Sequence, residues 1–159
     1  MKPLVEKIAA RAKARGAWLV TAESCTGGWA AQALTTVAGS STWFERGFVT
    51  YSNAAKQELL GVRPETLERH GAVSEQTALE MALGALQRSH GTLSLAITGI
   101  AGPGGGTAEK PVGTVCFAWA RKDHKASAET RHFAGDRDAV RQQSVVHALG
   151  RVLELLDEA

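Results

Sequence analysis

The chain has 159 residues, 44% of them hydrophobic and 21% charged, and a formal net charge of +2 at pH 7. That is the length of one domain, enough to bury a core without disulfide or metal staples. The small net charge and the lack of any Lys/Arg run exclude a nucleic-acid stripe, and no stretch reaches membrane-spanning length.

Two cysteines, Cys25 and Cys116, form neither a CxxC pair nor a zinc spacing. Free buried thiols in a reducing compartment are therefore expected. The first fifteen residues alternate charges with small apolar side chains and lack the apolar centre of a signal peptide. The reading is a single cytoplasmic domain over residues 1–159, with no nucleic-acid or membrane partner. Trp18, Trp29, Trp43 and Trp119 suit core or interface, which leaves a homo-oligomer open.

In chain order, Val5, Ile8, Ala9 and Ala12 recur at helical spacing, so a helix is predicted over residues 3–15, ended by Gly16. Residues 18–21 are a short apolar run and read as a strand. Small polar residues from Ala22 to Gly28 follow, then helical character from Trp29 to Thr36. Strand, glycine-bearing turn and helix open an α/β unit. Residues 47–52, rich in Phe, Val, Thr and Tyr, are the second strand. Ser52 or Asn53 caps a short helix to Leu60. Pro64 opens another to Arg69, and Ser74 caps a longer one to about Ser89. Residues 93–98 form an unbroken apolar strand of the kind buried on both faces. A glycine-rich loop at 99–106 leads to strands at 112–120 and 126–133, joined by a charged turn. Gly135 and Asp136 cap a last helix to about Asp157. Interleaved helices and strands followed by a β-meander predict an α/β protein, three-layer α/β/α with a mixed central sheet.

Glycine loops at strand ends are where α/β proteins take ligands, because glycine admits close backbone approach. Two occur here, at 22–28 and 99–106. The second is not a P-loop, since no Gly-Lys-Ser/Thr follows. Arg137 and Arg141, four apart at the head of the last helix, share one face and suit a phosphate. The structural alternative is a salt-bridge face with Asp138 and Glu129. The five histidines show no metal-ligand spacing, so no metal is expected. No Gly-x-Ser-x-Gly elbow marks a Ser-His-Asp triad.

The segment from Gly39 to Lys56 carries the densest chemistry: Ser40 and Ser41, then Tyr51, then Lys56. A serine becomes a nucleophile when a base takes its proton, and a lysine serves only once its pKa falls toward neutrality. Lys56 lies between Ala54-Ala55 and Leu59-Leu60, in the first turn of a predicted helix. Desolvation and the positive end of the helix both disfavour its ammonium form. Ser40 reads as an N-cap, which sets the Ser41 hydroxyl beside unpaired backbone N–H groups, a candidate oxyanion hole. Tyr51 is placed to relay or orient the proton. The structural alternative makes Ser40 only a cap and Lys56 an exposed helix lysine. Local chemistry leaves both serines open as the nucleophile.

Seven motifs then stand in series: Thr21-Ala-Glu-Ser-Cys-Thr-Gly-Gly28, Ala38-Gly-Ser-Ser41, Phe48-Val-Thr-Tyr-Ser-Asn53, Gly71-Ala-Val-Ser74, Thr98-Gly-Ile-Ala-Gly-Pro103, Lys110-Pro-Val-Gly-Thr114 and Gly135-Asp-Arg137. Together they resemble the CinA carboxy-terminal domain family, in its stand-alone nicotinamide mononucleotide amidohydrolase form. The likeness covers about residues 5 to 155. It does not extend to the additional amino-terminal nucleotide-binding domain of longer CinA proteins, so no activity of that domain is expected. The resemblance implies a serine amidohydrolase, needing no metal or cofactor, that converts nicotinamide mononucleotide to nicotinic acid mononucleotide and ammonia in pyridine nucleotide recycling. By motif it puts the nucleophile on Ser41, with Tyr51 and Lys56 as its catalytic partners. The glycine loops, with Ser24, Thr26, Gly27 and Gly102, then line ring and ribose. Thr98 and Gly99 lie near the carboxamide, and Arg137 or Arg141 holds the phosphate. Two rivals are a non-catalytic nucleotide-binding module and a metal-dependent amidohydrolase.

Overall fold

The structure, a computed structural model, describes residues 1–158. Its elements are α1 Lys2–Arg15, β1 Leu19–Glu23, α2 Trp29–Leu34, β2 Phe44–Val49, α3 Asn53–Leu60, α4 Pro64–His70, α5 Glu75–Gln87, β3 Leu93–Gly99, β4 Thr114–Arg121, β5 Ser127–His132 and α6 Arg137–Asp157. A single 3₁₀ turn, Ser40–Thr42, precedes β2.

The strands form one sheet in the order β2-β1-β3-β4-β5. β1 pairs parallel with β2 and with β3, while the β3–β4 and β4–β5 pairs are antiparallel. Parallel neighbours require the helical crossovers that α2 to α5 supply, and antiparallel neighbours accept the loops that follow β3 and β4. Strand residues alternate between two cores, as a period of two dictates. Leu93, Leu95 and Ile97 of β3, with Val115, Phe117 and Trp119 of β4, pack against Ile8 of α1, Leu34 of α2 and Leu149 of α6. Val20, Ala22, Ala96, Ala118 and Ala120 face the other way, toward Leu60 of α3 and Ala78, Met81 and Ala82 of α5. The fold is the expected three-layer α/β/α arrangement. Alanine dominates the second core, and with Gly84 it lets the helices there approach closely. A Cβ added at Gly84 of α5 would stand 1.9 Å from the Leu60 carbonyl oxygen of α3.

Element boundaries differ from expectation where side-chain hydroxyls or glycines intervene. α2 stops at Leu34 because Thr35 Oγ1 bonds the carbonyls of Ala31 and Gln32, and Thr36 Oγ1 that of Ala33. β4 starts at Thr114 because Gly113 holds a φ of +96°. β2 starts at Phe44, earlier than expected, because its register is set by β1, from Leu19 opposite Phe44 to Glu23 opposite Val49. Ser40 does not cap a helix: Gly39 occupies that position, and no side-chain cap bond is made.

From β1 the chain crosses to β2 over the face that carries α1 and α6. It returns to β3 over the face that carries α5. The connections after β1 and β3 therefore part in opposite directions. That opens a crevice at the carboxyl ends of these two strands, where open α/β sheets take their ligands.

Candidate active site

The crevice is a cleft of about 270 Å³. Ser24 and Cys25, just past β1, form one wall; Thr98 and Gly99, closing β3, and the loop through Gly102 form the other. Tyr51, Asn53 and Lys56 enter from β2 and α3, and Arg137 from the head of α6. Lys56 and Arg137 are the charged groups among the lining residues, and no carboxylate lines the cleft. With Arg137 charged and no acidic side chain beside it, the cleft favours an anion even when Lys56 is neutral. A larger hollow of about 700 Å³ beside α4 mixes Arg63, Arg69, Glu65 and Glu80, with no buried amine among its lining residues.

Lys56 is buried to 1% exposure. Its Nζ lies 3.0 Å from Ser24 Oγ, 3.0 Å from the Thr50 carbonyl oxygen and 3.2 Å from that of Tyr51. The sequence places the amine there by simple means. Ser52 caps α3 by accepting from the Ala55 N–H, and Lys56 follows one turn into the helix, facing back over the end of β2. Burial pushes the Lys56 amine below its usual 10.5, with the Cys25 thiol acting more weakly in the opposite sense. In its neutral form, two N–H bonds satisfy the two carbonyls. Its lone pair is then free to accept from the Ser24 hydroxyl, whose Oγ accepts from Nζ in the charged form and reaches the Tyr51 carbonyl at 3.5 Å.

Ser41 does not share this arrangement. It lies in the exposed 3₁₀ turn before β2, whereas Lys56 Nζ meets Thr50, after β2. The six residues of β2 intervene, about 20 Å of extended chain. The expected Ser41–Lys56 pair is therefore not formed, and Ser24 takes the place of Ser41 beside the lysine. Proximity in sequence misled here, because a strand carries its two ends to opposite edges of the sheet. Tyr51 is also displaced from the expected relay. Its side chain is 62% exposed, and its hydroxyl accepts from Arg137 NH2 at 3.1 Å.

Thr98, Gly99, Gly102 and Arg137 line the cleft as expected, and the Arg137 NH1 also donates to the Gly102 carbonyl at 2.8 Å. Thr98 Oγ1 donates to the Ala72 carbonyl at 2.8 Å and so fixes the Ala72-Val73 wall, which the sequence signalled only by its Gly-Ala-Val-Ser motif. Asn53, expected only as a cap, also lines the cleft. Thr26, Gly27 and Arg141 stand behind the wall and outside the lining. Arg141 donates from Nε to the Cys25 carbonyl at 3.0 Å and from NH2 to the Thr26 carbonyl at 3.2 Å.

Glu23 is fully buried, and nothing in the sequence reading assigned it a role. Its Oε1 accepts from Thr26 Oγ1 at 2.7 Å and from the Ala30 N–H at 2.8 Å, and its Oε2 from the Ala31 N–H at 3.1 Å. The carboxylate thus caps α2 and ties the turn that carries Ser24 to the helix behind it. The strand was expected to end at Thr21, with Glu23 in the polar stretch after it; β1 instead runs to Glu23 and buries the carboxylate. Glu23→Ala leaves these buried donors unpaired and is expected to cost about 2–4 kcal/mol of stability, measured by urea unfolding. Cys25, 6% exposed, is not a rival nucleophile. Burial, then the neighbouring Glu23, pushes its thiol up to about 12, so it carries no thiolate at neutral pH.

These features define a three-layer α/β protein with an anion-adapted cleft at the switch point of its sheet. The chain belongs to the CinA C-terminal domain family, whose profile matches residues 1–156. It is 56% identical over 146 residues to the nicotinamide-nucleotide amidohydrolase PncC of Escherichia coli K12, covering 92% of this chain and 88% of that one. The protein of the same name from Pseudomonas putida is 49% identical over 139 residues, 87% of this chain and 86% of that one. Among solved structures, the competence/damage inducible protein CihA of Agrobacterium tumefaciens superposes with a TM-score of 0.94 at 47% identity, over 99% of this chain and 95% of that one. Among the described residues, no helix is long and apolar enough to cross a membrane, and no group of three or more His, Cys, Asp and Glu is placed to hold a metal ion.

Proposed function

We propose that this chain is a nicotinamide-nucleotide amidohydrolase that cleaves the carboxamide of nicotinamide mononucleotide to nicotinic acid mononucleotide and ammonia, with Ser24 as nucleophile and Lys56 as its base. The relatives' names support the reaction class. The observation that carries the residue assignment is the buried Lys56 amine, 3.0 Å from the Ser24 hydroxyl at the floor of the cleft.

Neutral Lys56 takes the Ser24 proton as Oγ attacks the carboxamide carbon. The tetrahedral oxyanion meets the Cys25 backbone N–H, which donates to no backbone carbonyl among the described residues. The Lys56 ammonium then returns its proton to the departing nitrogen, and ammonia leaves an ester on Ser24. Water gives a proton to Lys56 and attacks the ester. Ser24 recovers its proton, and the carboxylic acid product leaves. Arg137, at the mouth, faces the substrate phosphate, and Tyr51 orients its guanidinium.

The test is ammonia release from nicotinamide mononucleotide by the purified chain, with and without chelator. One ammonia per nicotinic acid mononucleotide, insensitive to chelator, is the expected result. Saturable binding without product would mean a non-catalytic module, and loss of turnover on chelation a metal-dependent enzyme.

A further inference from the structure

Arg141 is one turn along α6 from Arg137, yet the two guanidinium groups do different work. Arg137 is exposed and lines the cleft. Arg141 lies behind the Ser24 turn and presents the Nε–NH2 edge of its fork to two successive carbonyls, those of Cys25 and Thr26. Its guanidinium carbon sits 5.5 Å from the centre of the Trp29 ring, so an aromatic face also holds it. Gly27, in the same turn, holds a φ of +60°, a left-handed conformation that favours glycine.

The two captured carbonyls belong to peptide groups that begin one residue past Ser24. In a trans peptide the N–H points opposite to the C=O. Pulling the Cys25 oxygen toward Arg141 therefore aims the Thr26 N–H away from it. That N–H makes no intramolecular hydrogen bond among the described residues. Glu23 grips the same turn from the other end, through Thr26 Oγ1 and the Ala30 and Ala31 N–H groups. The turn is held by a carboxylate and a guanidinium that do not touch the cleft.

We propose that Arg141 is a positioning residue for the reaction, acting through the Cys25-Thr26 peptides to hold the Ser24 hydroxyl and its neighbouring N–H groups in reactive geometry, and that it does not bind the phosphate. The inference rests on the amidohydrolase reading with Ser24 as nucleophile. A lysine cannot replace the fork, because one ammonium does not span two carbonyls in fixed geometry.

The test compares Arg141→Met, Arg141→Lys and Arg137→Met. Arg141→Met is expected to lose about 10²-fold in kcat with KM unchanged. Arg141→Lys loses about tenfold, and added guanidinium restores part of the loss in Arg141→Met. Arg137→Met raises KM instead. Phosphonylation of Ser24 by a fluorophosphonate, read by intact mass, slows in Arg141→Met. Since that readout needs no amide turnover, a failure of the amidase reading is told apart from a failure of this one. An Arg141→Met variant with raised KM and unchanged kcat makes Arg141 a substrate ligand and overturns the proposal. So does one that is less heat-stable but labels and turns over at the wild-type rate per folded molecule.

Discussion

Ser24→Ala will lower ammonia release from nicotinamide mononucleotide by about 10⁴-fold or more, and Ser41→Ala will leave it within about twofold. The contrast follows from placement. Ser24 meets a buried amine at 3.0 Å, in a cleft with no carboxylate to repel a nucleotide phosphate. Ser41 sits exposed before β2, in a turn held by Thr42 bonding back to Gly39 and by the Trp43 N–H donating to the Ser40 carbonyl. Binding of the mononucleotide to Ser24→Ala should persist, because the proposed phosphate contact is Arg137 and the other lining residues are unchanged. A calorimetric titration checks this. Full turnover in Ser24→Ala would remove the serine from the reaction, and loss of turnover in Ser41→Ala would return the nucleophile to the earlier segment.

Lys56→Met will lower kcat by about 10²- to 10⁴-fold, the usual worth of a general base. A fall in substrate affinity alone would make Lys56 a ligand instead. The wild-type kcat/KM should rise with pH as the buried ammonium loses its proton, and Lys56→Met should lose that limb. Burial holds the folded-state pKa of Lys56 below the ordinary 10.5. Between those two values the unfolded chain carries a proton on Lys56 that the folded chain does not. Stability contributed through this group therefore increases with pH across that window and is flat below it, where both states are protonated. Urea unfolding of the wild type and Lys56→Met at a series of pH values reads this contribution as the difference between their slopes, because the Cys25 thiol, held up to about 12, adds a slope of the opposite sign to both. A difference of the opposite sign would mean that the Thr50 and Tyr51 carbonyls favour the ammonium more than burial opposes it.

The layers of the fold were readable because each element carried its own signal. The buried strand at 93–98, the Ser74 and Asp136 caps and the alanine-lined face of α5 all stand where the pattern put them. Boundaries moved where Thr35, Thr36 and Gly113 imposed local bonds or backbone angles that periodicity does not see. The site was readable in part. Lys56 proved buried as the flanking alanines and leucines implied, and Thr98, Gly99, Gly102 and Arg137 line the cleft. Its pairing was not readable. The Ser24–Lys56 contact spans thirty-two positions and exists only because β1 and β2 run parallel, which brings their carboxyl ends together. Arg137 and Arg141 could not be separated by helical spacing, since both lie on the face toward the two loops. The Cys25 and Thr26 carbonyls held by Arg141, and the place of Arg137 in the cleft lining, separate the proposed brace from the proposed phosphate ligand.

The most direct measurement is to quench the enzyme in acid during turnover of nicotinamide mononucleotide and map the covalent ester by peptide mass spectrometry. The Ser24–Lys56 account predicts a nicotinoyl mononucleotide ester on the Ser24 hydroxyl, absent from Ser24→Ala. An ester on Ser40 or Ser41, with Ser24 unmodified, would contradict it.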